Sequence, residues 1–185
     1  MGALESFPRI TPFLWFDANA EQAVDFYCKV FKNSRRLDEL RDTGGIQAPK
    51  DSVVTIAFEL DGQKFTAING GPHFKFTEAI SFTVRCDTQE EVDYYWSKLT
   101  DGGKEVQCGW LKDKFGLSWQ IVPARLPDLV KHPKAFQAMM KDGEARHRGA
   151  GARSAVVIHE GAVLAEIRGG RMINALAIYG SHLGA

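Results

Sequence analysis

The sequence predicts an α+β fold built from two βαβββ modules, and three observations carry that expectation. The segment AEQAVDFYCKVF (residues 20–31) resembles TQEEVDYYWSKL (residues 88–99) at an offset of 68 residues, so that Val24-Asp25-Phe26-Tyr27 falls on Val92-Asp93-Tyr94-Tyr95. Each copy follows a strand-like apolar run, ITPFLWF (residues 10–16) and AISFTVRC (residues 79–86). Pairs of further strand segments, separated by turn residues, come after each copy. A parallel doubly wound sheet would need a helix between successive strands, and this order supplies too few.

Each repeated segment reads as a helix. Asn19 is placed to cap the first. Thr88 with Glu91 forms the pattern of a capping box for the second, in which side chains satisfy N–H groups that have no partner within the helix. Ala20, Val24, Tyr27 and Phe31 share one face of the first helix, and Val92, Tyr95, Trp96 and Leu99 share one face of the second. Gly102-Gly103 stops the second helix. In the first module SVVTIAFEL (residues 52–60), Asp61-Gly62 and QKFTAIN (residues 63–69) read as a hairpin, because Asp-Gly readily adopts positive φ angles. In the second, VQCGWLKD (residues 106–113) and LSWQIV (residues 117–122) flank a turn at Lys114-Phe115-Gly116.

The 185 residues carry 23 basic and 23 acidic side chains and are 44% hydrophobic, which suits a folded globular chain and neither a disordered nor a membrane-embedded one. Zero net charge argues against a nucleic-acid or anionic-membrane binder. Cys28, Cys86 and Cys108 have no C-x-x-C spacing and predict free thiols in the cytoplasm. No apolar run is long enough for a transmembrane helix. The composition changes near Lys141: beyond it there is no Lys, and Tyr179 is the only aromatic residue. The expected organisation is a domain over residues 8–141, with modules at about 8–72 and 78–125 and a C-terminal helix at about 133–141. An atypical Gly/Ala/Arg-rich tail over 142–185 follows, either disordered or forming a short hairpin (SAVVIHEGAVLAEI) and a short helix (RMINALAIY).

Four segments make the reading more specific: residues 10–27 (ITPFLWFDANAEQAVDFY), 58–82 (FELDGQKFTAINGGPHFKFTEAISF), 88–96 (TQEEVDYYW) and 107–123 (QCGWLKDKFGLSWQIVP). With them the chain resembles the vicinal oxygen chelate (glyoxalase/bleomycin resistance/dioxygenase-like) superfamily, and within it the PhnB-like branch described as 3-demethylubiquinone-9 3-methyltransferase. The resemblance implies two modules whose sheets curl around a cavity, commonly in a homodimer.

It also implies where a divalent metal would be held: one ligand early in the first strand of each module and one in its last strand, polarising a substrate oxygen. Those positions fall near Ile80 and on Gln120 in the second module, and near Pro12 or Ile10 and on Thr66 in the first. None is His, Asp or Glu, so no metal ligands are assigned and no cofactor is expected. The methyltransferase description is not supported either, since no glycine-rich turn after a strand is present to approach an adenosyl cofactor.

Candidate site residues are few. His73, in the loop Gly70-Gly71-Pro72-His73-Phe74, can act as an acid or base, or fix the crossover by bonding backbone. Asn69 can bind a substrate carbonyl or cap the turn. Gln120 and Ser118 share one face of the last strand and offer polar anchors, while Leu117, Trp119 and Ile121 share the other. Trp110 can stack on a planar ligand or belong to the core. Cys108 is a candidate nucleophile only if a cation such as Lys112 lowers its pKa. The run Lys112-Asp113-Lys114 is expected to solvate a turn.

Three functions follow as expectations: a metal-free protein binding a small organic molecule, a lyase, isomerase or dioxygenase with displaced metal ligands, and an interaction module with a vestigial cavity. Whether a reaction is catalysed is open at this level. The expected partners are a small molecule and a second copy of the chain, with no nucleic acid and no membrane.

Overall fold

The computed structural model describes residues 7–44, 49–106 and 109–124, together with the backbone of 154–156, 164–168 and 171–175. The chain divides into two compact units, Met1–Phe76 and Thr77–Ala185.

The first unit contains β1 (Phe13–Phe16), α1 (Ala20–Val30), β2 (Arg35–Arg41), β3 (Val53–Leu60) and β4 (Gln63–Asn69). Its sheet has the order β1-β4-β3-β2, with β1 parallel to β4 and the remaining pairs antiparallel. The Asp61-Gly62 turn is as expected, with φ of 45° and 85° at its two residues. Pairing places Leu14, Phe16, Ile56, Phe58, Phe65 and Ala67 on one face, where all are buried. Ala20, Ala23, Val24, Tyr27 and Val30 are the buried residues of α1. β2 escapes the sequence pattern because it is an edge strand, RRLDELR, with no buried residue and therefore no apolar alternation.

The second unit repeats the order with β5 (Ser81–Cys86), α2 (Gln89–Thr100), β6 (Lys104–Glu105), β7 (Trp110–Lys112) and β8 (Ser118–Pro123). Its sheet order, β5-β8-β7-β6, is equivalent to that of the first. Leu111, Trp119 and Ile121 are buried on one face, as are Val92, Trp96 and Leu99 of α2. The Trp96 indole donates to Glu105 Oε1 at 3.0 Å, tying α2 to the edge strand β6.

The helix starts differ from expectation in detail. Thr88 Oγ1 accepts from Glu91 N at 3.3 Å, but the returning Glu91 carboxylate takes the Asp87 N–H rather than that of Thr88. Asn19 makes no side-chain capping bond. Its role passes to Asn69, far along the chain, whose Oδ1 accepts from Ala20 N at 2.8 Å.

In the tail, β9 (Ser154–Val156), β10 (Leu164–Arg168) and β11 (Arg171–Ala175) form a three-stranded antiparallel sheet. The expected helix over RMINALAIY is therefore corrected: residues 171–175 are a strand. Arg168 pairs with Arg171, leaving Gly169-Gly170 as a two-residue connection, and that spacing favours a hairpin. The expected helix at 133–141 lies outside the described residues. No described helix is long and apolar enough to cross a membrane.

Candidate functional site

The candidate residues separate into a group at the end of β4 and a group on β5, β7 and β8. At the end of β4, Asn69 spends its whole amide on the scaffold. Besides the bond to Ala20, its Nδ2 donates to Glu21 Oε2 at 2.8 Å and to Val53 O at 2.9 Å. Gly70 follows because nothing larger fits: a Cβ there would lie 2.2 Å from the indole of Trp15. Gly71 has a φ of +81°, and its carbonyl accepts from Trp15 Nε1 at 2.9 Å. Phe74 meets Trp15 edge-on at 4.9 Å. His73, in the same loop, is exposed and makes no hydrogen bond among the described residues. The loop is thus held by Trp15, a residue the sequence pattern did not single out.

In the second unit, β8 presents the two faces its sequence predicts. Trp119 and Ile121 are buried on the helix side; Gln120 lies on the other, partly exposed. Register places Gln120 beside Thr83 on β5 and Trp110 on β7, and Ser118 beside Ser81 and Lys112. Gln120 Nε2 donates to Ser81 Oγ at 2.8 Å. Ile80, expected near this position, lies before β5 and is 69% exposed, so the neighbouring hydroxyl of Ser81 stands where the slot was read. Ser118 is buried and its Oγ has no hydrogen-bond partner among the described residues. Lys112 pairs with Glu78, from the segment before β5, at 2.5 Å. That bond and the Lys112 charge hold the Glu78 carboxyl below its ordinary range.

Asp113 is not the solvated turn residue expected from the charge run. It is 3% exposed, and its carboxylate accepts from Phe115 N at 2.8 Å, Leu117 N at 3.1 Å and Trp119 Nε1 at 2.8 Å. A charged group tolerates burial when donors surround it, and here it shapes the β7–β8 turn that aims Gln120.

Cysteine chemistry has little support at the described thiols. Burial, then the charges of Glu91 and Asp87, push Cys86 up to about 12. Burial, followed by Asp25, also raises Cys28. Cys108 lies outside the described residues. Among the described residues, no cluster of three or more His, Cys, Asp or Glu is arranged to hold a metal ion.

With this geometry in place, comparison decides the family. The family described as 3-demethylubiquinone-9 3-methyltransferase matches residues 8–122, which span both modules. The chain belongs to that family. The PhnB protein of Bacillus cereus is 34% identical, with a TM-score of 0.59, over 63% of this chain and 100% of its own. A Pseudomonas aeruginosa protein shares the fold at 18% identity and a TM-score of 0.51, over 63% of this chain and 97% of its own. The fosfomycin resistance protein FosX of Listeria monocytogenes, in complex with Mn(II) and sulfate, is 15% identical with a TM-score of 0.46, covering 67% of this chain and 95% of its own. None of the curated proteins matches. The two βαβββ modules share their fold with the Bacillus cereus and Pseudomonas aeruginosa structures.

Proposed function

We propose that this family member binds a small organic molecule on the sheet face formed by β5, β7 and β8, without the metal ion typical of the superfamily fold. The observation that carries the reading is the pairing of Gln120 with Ser81. These groups face each other from the first and last strands of the module, and both are neutral. A divalent metal site is built from anionic or imidazole donors that other groups orient, and an amide bonded to a hydroxyl is a poor substitute. The same pair suits a ligand carbonyl or hydroxyl, and Trp110 beside it offers a flat apolar surface.

The methyltransferase description finds no counterpart in the described residues. The sheets of the two modules are mixed and four-stranded, with one helix each, and the described tail sheet is antiparallel, so no glycine-rich strand-to-helix turn leads into a parallel-sheet crevice for an adenosyl cofactor. The reading assigns binding rather than a reaction. We place the protein in the cytoplasm, which the free thiols Cys28 and Cys86 support. We also propose a homodimer, supported by Ile10 and Phe13 of the first unit, 89% and 59% exposed. Light scattering behind size exclusion tests the dimer.

A thermal-shift screen of small organic molecules, run alongside elemental analysis of the purified protein, tests the binding reading. Hits whose shift is reduced by Trp110→Ala and Gln120→Ala are expected, since a ligand of the native state stabilises it by mass action. A stoichiometric, tightly held divalent ion would overturn the metal-free part. A screen without hits would overturn the binding part.

A further inference from the structure

We propose that the site on β5, β7 and β8 selects small planar carboxylates, with Lys112 as the anion anchor and Glu78 as a built-in competitor for it. The inference rests on the binding reading above and names the class of ligand.

Register decides which side chains share this face. Lys104 pairs with Lys112 across β6 and β7, Lys112 with Ser118, and Arg85 with Val122. Every ionisable residue that the four strands place here is therefore a cation, whereas Glu105, the one acidic residue in these strands, pairs with buried Leu111 on the helix side and accepts from Trp96. Among the described residues, the carboxylates that reach these cations come from outside the strands: Glu78 meets Lys112 at 2.5 Å and Asp87 meets Arg85 at 2.9 Å.

Arg85 is at the far end of β5, paired to Asp87 two residues on, and has no aromatic partner in register. Lys112 differs. It is two residues from Trp110 on β7, hence on the same face, and its cross-strand neighbour Ser118 has a buried hydroxyl without a partner among the described residues. An ammonium, a hydroxyl, an amide and an indole thus stand together. An aromatic ring over Trp110 would bring a carboxylate attached to it toward Lys112, with Gln120 alongside.

Glu78 already shows that a carboxylate fits the ammonium. Its side chain is 59% exposed, so the pair is screened by water and exchanges at small cost. A ligand carboxylate held at the same ammonium and further supported by Trp110 replaces it.

The test uses benzoate as the probe and benzamide as its neutral counterpart, titrated into the full chain by calorimetry at low and high salt. Benzoate is expected to bind about tenfold more tightly than benzamide, a preference that Lys112→Gln removes and added salt reduces. Glu78→Gln is expected to tighten benzoate about fivefold and leave benzamide unchanged. Trp110→Ala should weaken both. Circular dichroism confirms that each variant is folded.

Equal binding of the two probes, or no gain for benzoate in Glu78→Gln, would overturn carboxylate selection while leaving small-molecule binding in place. Absence of benzoate binding to both wild type and Glu78→Gln, with other molecules still shifting the melting transition, would overturn it as well. Failure of every molecule in the thermal screen is the separate result that removes the binding reading itself.

Discussion

Asn69 Oδ1 accepts a 2.8 Å hydrogen bond from the backbone N–H of Ala20, so the last residue of one strand caps a helix that begins 49 positions earlier. The same amide reaches Glu21 and Val53. The cap is supplied by the fold rather than by the neighbouring residue. Its loss leaves the Ala20 N–H and the Val53 carbonyl without their partner.

Asn69→Ala is accordingly expected to lower stability by about 2 kcal/mol, within the usual range for lost caps and abandoned polar groups. Asn19→Ala, at the residue preceding the helix, is expected to cost much less because Asn19 makes no side-chain capping bond. Urea unfolding of the two variants checks the order, and equal losses would contradict it.

The Asp113 carboxylate organises a turn with three donors, one of them the buried Trp119 indole. Asp113→Ala leaves those donors unpaired in the interior and should cost on the order of 3 kcal/mol. It should also weaken any ligand held by Gln120, whose strand the turn positions. Intact stability in this variant would show the carboxylate to be dispensable.

Gly70→Ala tests the close approach of β4 to Trp15. The added methyl group meets the indole, which is held by Phe74 and by the bond to Gly71. Destabilisation of roughly 1–3 kcal/mol is expected from the forced shift. Trp15→Phe in the same chain should recover part of it by removing ring atoms, and a thermal melt of the double variant reads the recovery.

Cys86 sets a limit at alkaline pH. Its thiol ionises near 12 in the native protein, raised by burial from an ordinary value of 9.0. Between those values the unfolded chain gives up the proton and the native chain keeps it. The unfolded state is then favoured, so this group's contribution falls as pH rises from about 9 towards 12 and is constant below. In a Cys28→Ser/Cys108→Ser background, Cys86 should react with a disulfide reagent at pH 8 only after denaturant is added. Rapid reaction of the folded protein would refute the burial argument.

Much of the fold was legible because local rules govern it. The 68-residue repeat, the Asp61-Gly62 hairpin and the Thr88 cap each involve residues close in sequence or matching in pattern. β2 was not legible, since the edge strand Arg35–Arg41 has no buried residue to impose a period. The site was only half legible. The face of β8 carrying Gln120 followed from alternation, but the position opposite it was read only as near Ile80, and the residue that meets Gln120 is Ser81. A shift of one residue in a strand moves a side chain to the opposite face, and only the pairing of β5 with β8 settles the register.

The sequence by itself determined the strand, helix and hairpin repeated in each module and the faces of the helices, through periodicity and turn chemistry, while four longer segments carried the resemblance to the family. The tertiary structure alone decided that Asn69 caps α1, that Asp113 is buried, and that Lys112 shares a face with Trp110 and Gln120 while Glu78 holds it. Those relationships join residues from separate elements. Their distances and solvent exposure exist only after the strands have paired, and burial then converts a polar side chain from a solvated group into one that must find a partner.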